Sequence, residues 1–265
     1  MGRKCKSYRI GEENLNNQGC LMKIIEYNAY RDVTIEFQDI YKTKIKTQYI
    51  HFINGNIINP YFPSVYNIGI VGNKYNSHIG QTPIKEYDVW QSMLQRCFDE
   101  KYKNEKPTYK DVTCCNEWLL YENFYEWIHK QENFEKWLNG DKWAIDKDIL
   151  VKGNKVYSPE TCCLVPQNVN QIFLKCNAKR GSLPIGVSKN GEKFIASCSK
   201  QIYLGIYNTP EEAFFAYKTF KENYIKQIAQ EEYDKGNITK QCYDAMMNYE
   251  VEIDDYEELK RKRKI

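Results

Sequence analysis

Cysteine and histidine are the side chains here best suited to holding a metal or moving a proton, and the chain has ten of one and three of the other. The thiols fall at Cys5, Cys20, Cys97, Cys114, Cys115, Cys162, Cys163, Cys176, Cys198 and Cys242, with two vicinal pairs and no Cys-x-x-Cys spacing. A disulfide framework belongs to short secreted chains, so reduced thiols in a cytosol are expected. His51, His78 and His129 are scattered, with no metal-binding spacing between them. Cations offer a second chemistry. Lys42, Lys44 and Lys46 alternate on one strand, and Lys260-Arg261-Lys262-Arg263-Lys264 forms a run near the end. Either set could meet phosphate by releasing counterions, or serve as a solvated face and a solubilising tail.

Over 265 residues, 38 Lys and Arg against 35 Asp and Glu leave a formal charge of +3, which excludes a histone-like basic protein. With 42% hydrophobic and 14% aromatic residues there is enough apolar area to offset chain entropy, so wholesale disorder is excluded. No apolar run approaches the length of a membrane span. No apolar segment follows the basic residues of the start, so no secretory signal is expected.

Four segments must position these groups, and the fold class they predict is α+β. Residues 1–79 alternate with period two through Val33-Thr34-Ile35-Glu36-Phe37 and again from Tyr41 to Phe52. Four or five short strands predict a small barrel-like β module, and ten Lys and Arg against six Asp and Glu over residues 1–80 make it mildly basic. Residues 80–178 open with a helical stripe through Trp90, Met93, Leu94 and Cys97, and Trp118, Phe124 and Trp127 carry a second helix. A strand from Ala144 to Leu150, a turn at Lys152-Gly153-Asn154-Lys155 and a return arm from Tyr157 to Pro166 then precede a helix started by Pro166. The product is a β-hairpin followed by a helix. Residues 179–230 read as three strands and a helix capped near Thr209, with nine Lys and Arg against four Asp and Glu between 175 and 230. Residues 231–265 form an acidic helical segment with the basic tail.

The order Gly186-Val187, then Phe194-Ile195-Ala196, then Tyr203-Leu204-Gly205-Ile206-Tyr207, then Thr209-Pro210-Glu211-Glu212-Ala213 and Ala216-Tyr217 resembles the Apetala-two/ethylene-response-factor type of DNA-binding domain over about 45 residues. The resemblance implies a three-stranded sheet laid into the major groove of double-stranded DNA. It nominates Lys189, Lys193, Phe194, Ser197, Lys200 and Tyr203 as outward residues, without the dense arginines of sequence-specific plant members.

Trp90-x-x-Met93-x-x-Arg96-Cys97, Tyr109, Val112-x-x-Cys115-x-x-Trp118, Ile145-Asp146-Lys147, Tyr157-Ser158-Pro159-Glu160-Thr161-Cys162, Val165-Pro166 and Asn170 look like a group of phage-borne HNH-type endonuclease-like proteins. These often carry an Apetala-two type domain, and the two likenesses cover about two-thirds of the chain. The resemblance implies a ββα unit holding a magnesium-like divalent metal, with Asp146 as one ligand and Asn170, or Asn168, on the helix. Lys147 stands where the family has its general-base histidine. An ordinary lysine is protonated at neutral pH and suits phosphate binding better than proton abstraction. Cys97, Cys115 and Cys162, which the family places close together, suggest a structural zinc as a lesser option. The functional expectation is a phage-type DNA-binding protein on an HNH-like scaffold with little or no nuclease activity, in the cytoplasm of an infected bacterium. The alternatives are a metal-dependent homing or nicking endonuclease, and an anti-defence protein that binds a host nuclease or antiviral complex.

Overall fold

A computed structural model describes residues 9–173, 183–198 and 202–252 and shows a mixed α+β protein of several small sheets. The chain divides into two compact units. One comprises the residues up to Lys110 with Cys114–Glu126; the other takes Asp111–Thr113 and the chain from Trp127 onward. The division therefore falls within the segment read above as residues 80–178.

In the first unit, β1 (Glu13–Leu15), β2 (Leu21–Ala29), β3 (Asp32–Phe37) and β4 (Lys44–Thr47) form an antiparallel meander in sequence order. Alternation puts Met22, Ile24, Val33, Ile35 and Phe37 on one buried face. The strand expected from Tyr41 to Phe52 stops at Thr47, and α1 (Tyr49–Ile53) follows it. Helical spacing lets Tyr49 and Phe52 cover that face together, which a strand would not. This corrects the barrel-like expectation. The sheet stays open because β1 and β4 remain its edges and α1 supplies the cover that closure would have given.

Next come β5 (His78–Ile79), β6 (Thr82–Pro83), α2 (Lys85–Phe98) and α3 (Glu100–Glu105), the last capped by the Asp99 carboxylate on the Tyr102 N–H. The expected stripe on α2 buries Tyr87, Trp90, Met93, Leu94 and Cys97, and the Trp90 indole donates to the Trp118 carbonyl at 2.7 Å. Packing is thus the role of these tryptophans. The division between units falls inside β7 (Thr113–Cys114) and again inside α4 (Tyr121–His129).

The second unit contains α5 (Phe134–Asn139), then β8 (Trp143–Asp146), β9 (Val156–Tyr157), β10 (Cys163–Pro166) and α6 (Gln167–Ile172). β8 and β10 pair antiparallel, Asp146 opposite Cys163 and Trp143 opposite Pro166. A three-stranded antiparallel sheet follows, β11 (Val187–Asn190), β12 (Lys193–Cys198) and β13 (Ile202–Tyr207), then α7 (Pro210–Asp234) and α8 (Lys240–Met247).

Two apolar clusters sit along α7. Its first turns contribute Ala213, Phe214 and Tyr217 to a core with Val187, Ala196 and Cys198 of the sheet. Further on, Ile225 and Ala229 join Ile149, Cys163, Val165, Val169, Ile238, Cys242 and Met246. One helix of 25 residues, about 37 Å long at 1.5 Å per residue, thus serves both the sheet and the hairpin. Glycine is required where the sheet meets this helix. Gly186 has φ +78°, and a Cβ there would lie 2.1 Å from the Tyr217 ring. Among the described residues no helix is long and apolar enough to cross a membrane.

Candidate nucleic-acid interface and the hairpin site

Asp146 ends β8 buried, and its Oδ1 accepts the backbone N–H groups of Asp148 at 2.8 Å and Ile149 at 2.9 Å. A short acceptor of this kind folds the chain back into a tight turn. Burial and the neighbouring Asp148 carboxylate push the Asp146 carboxyl up to about 6. Lys147 is only 11% exposed at its side chain. Its ammonium lies 3.4 Å from the Asp148 carboxylate and 5.9 Å from the centre of the Tyr157 ring. Its carbonyl accepts from the Asn154 side chain, which also reaches the Val156 carbonyl and ties the turn together. Beyond the return arm, the Asn168 amide stands 3.4 Å from the Glu232 carboxylate on α7, which also takes Asn237 and Lys235. Asn170 is half-buried on α6.

Two of the positions that the HNH resemblance implies for a divalent ion are partly engaged within the protein. One oxygen of Asp146 is taken by two amide protons, and Asn168 is drawn to Glu232. Lys147 is turned toward Asp148 and Tyr157. The histidines pack on aromatic rings elsewhere, His78 on Tyr87 and His129 on Phe134, while His51 lies on α1.

Among the described residues all eight cysteines are free thiols, and no three His, Cys, Asp or Glu side chains gather in a way that could hold a metal. Cys97 and Cys115 belong to the first unit and Cys162 to the second. A hydrogen bond to Cys97 and burial push the Cys114 thiol up, and burial pushes Cys162 up to about 12. Cys163 and Cys242 lie 4.0 Å apart in the hairpin core, where burial and their mutual contact raise Cys163 as well. Thiols held protonated in this way are packing groups rather than nucleophiles. Cys176 lies outside the described residues.

The two larger sheets turn different faces outward. On the first, Glu13, Lys23, Glu36 and Lys44 stand in one row across four strands, and Glu26, Thr34 and Lys46 in the next. Lys23 lies 3.3 Å from Glu13, Lys46 lies 3.1 Å from Asp32, and Lys44 faces Glu36. Of the basic stripe read from the sequence, Lys44 and Lys46 therefore stand against carboxylates, while Lys42 lies before β4 with its ammonium on the Gln38 side chain.

On the C-terminal sheet, Val187, Phe194, Ala196 and Tyr207 turn toward α7. Their neighbours along the strands make the opposite face. One row across the sheet is Ser188, Ile195 and Ile206; Asn190 faces Lys193, and Ser197 faces Tyr203. Tyr203 is 61% exposed and Ile206 46%. A bulge between Ala196 and Ser197 leaves Leu204 without a partner and makes up the odd spacing, so Tyr203 and Ile206 share a face although three residues apart. Gly205, at φ +130°, supplies the backbone conformation this needs.

Of the residues nominated from the sequence, Lys193, Ser197 and Tyr203 share this face. Phe194 does not. It packs on the helix side, a correction that follows from the alternation fixed by buried Ala196. Lys189 pairs with Phe194 and so shares its side, but stays exposed on the edge strand. Lys200 lies outside the described residues. Ser188, Asn190, Ile195 and Ile206 were missed. The pattern left strand parity open because Phe194-Ile195-Ala196 is apolar throughout. Among the described residues neither Lys189 nor Lys193 makes an ion pair, unlike the lysines of the first sheet. Comparison with protein-family models, curated proteins and solved structures gives no match to this chain.

Proposed function

We propose that the protein binds double-stranded DNA through the outer face of β11–β13, and that the hairpin and α6 support this sheet without cutting the DNA. The observation that carries the reading is the contrast between the two faces. The first sheet sets Lys23, Lys44 and Lys46 against its own carboxylates, whereas the C-terminal face presents Lys193 beside Asn190, Ser197 and Tyr203, with Lys189 at the rim and neither lysine in an ion pair among the described residues. Unpaired cations next to hydrogen-bonding and apolar side chains suit a ligand that offers phosphates at its edge and base edges at its centre.

Lys147 and Asp146 are occupied in holding the hairpin turn, and this supports a scaffold role over nuclease chemistry. The double variant Lys189→Glu with Lys193→Glu tests the reading by fluorescence anisotropy on duplex DNA. Each lysine that meets a phosphate should reduce the slope of log affinity against log salt by about 1. Unchanged affinity and slope would sink the proposal. Supercoiled plasmid incubated with magnesium or manganese should be retarded in a gel but not nicked.

A further inference from the structure

Building on that reading, we infer that the sheet prefers A·T base pairs, using Ile195 and Ile206 against thymine methyl groups and Asn190 against adenine. Ile195 and Ile206 are direct cross-strand partners, so their side chains form one aliphatic pair in the middle of the outward face. Ile206 is 46% exposed there, and the flanking rows are polar: Asn190 with Lys193 on one side, Ser197 with Tyr203 on the other. The first sheet also has an exposed aliphatic pair, Leu15 opposite Leu21, but at the ends of β1 and β2. On the C-terminal sheet the pair lies between two polar rows.

In the major groove the one aliphatic group is the thymine C5 methyl. The Asn190 carboxamide pairs a donor with an acceptor, the match to adenine N6 and N7, and Asn190 is exposed at the end of β11. Guanine is read best by a guanidinium fork, and none of β11, β12 and β13 carries an arginine. Lys193 is left to hold a neighbouring phosphate.

The experiment compares three duplexes of equal length at one salt concentration: an A·T-rich one, the same sequence with deoxyuridine for every thymine, and a G·C-rich one. Deoxyuridine keeps the base pair and removes only the methyl. Loss of two methyl contacts should weaken binding about 5-fold to 15-fold, from the value of one buried methyl-sized group each. In Ile206→Ala the thymine-over-deoxyuridine ratio should shrink toward 1, whatever change in affinity the two duplexes share. Asn190→Ala should narrow the gap between the A·T-rich and G·C-rich duplexes. Equal affinity for thymine and deoxyuridine duplexes, or tighter binding to G·C, overturns this inference; it leaves the DNA-binding reading standing if Lys193→Glu still weakens binding to every duplex. Absence of binding to all three overturns both.

Discussion

Asp146 closes a buried turn with one oxygen while its carboxyl titrates near 6, above the 3.8 of a free aspartate. Folding therefore favours its protonated form, so its contribution is complete below about pH 4 and is lost as the pH rises through about 6. Asp146→Asn keeps the Oδ1 acceptor and removes the ionisation. The variant should match the parent at pH 4 and exceed it by about 2–3 kcal/mol at pH 7, read from urea melts across that range. A stability difference that does not change with pH would reject this account. That Asp146 lies on a strand was legible from Ala144-Ile145-Asp146, but the strand expected to run to Leu150 stops at Asp146, where the turn begins. The engagement of Asp146 by two backbone amides was not legible, because that depends on the path of the turn rather than on residue type. The same limit applied to Lys147, whose partner Asp148 is its sequence neighbour yet gives no sign in sequence of which way either side chain points.

Helix α7 begins with a full capping box: the Thr209 hydroxyl accepts the Glu212 N–H while the Glu212 carboxylate takes the Thr209 N–H. Thr209→Ala should cost about 1 kcal/mol, measured by chemical denaturation. Gly186→Ala should cost more, at least about 2 kcal/mol, since both the positive φ and the Tyr217 ring oppose the new methyl. A Tyr217→Ala background should recover part of that loss, since it removes the ring but not the φ penalty. Elements with one dominant pattern were readable from sequence: α2 from its stripe, α7 from its cap, β3 from its alternation. Those that were not readable broke the period. In β13 the bulge at Leu204 makes Ile202-Tyr203-Leu204-Gly205-Ile206-Tyr207 violate simple alternation, and α1 was hidden because Tyr49 and Phe52 continue an apolar run that strand residues had started.

Across the whole chain a charge of +3 leaves little long-range attraction for a polyanion, and the first sheet sets Lys23, Lys44 and Lys46 against its own carboxylates. DNA affinity should accordingly fall gently with salt, with a slope of roughly −2 to −4, as for a protein neutralising a few phosphates. A titration from low to moderate salt checks this, and a slope near −10 would mean that a larger basic surface takes part. The near-zero total was plain from composition; its uneven distribution was visible only in part, since pairing across strands decides which cations remain available. Finally, α7 gives Ala213, Phe214 and Tyr217 to one core and Ile225 and Ala229 to another. Genetic exchange of the three-stranded sheet alone is thereby constrained. A crossover placed just before α7 would separate the sheet from the residues that bury its inner face, and one placed midway would leave the hairpin without its apolar cover. An inheritable unit must carry the whole helix and a compatible hairpin, so recombination should preserve these two parts as a pair.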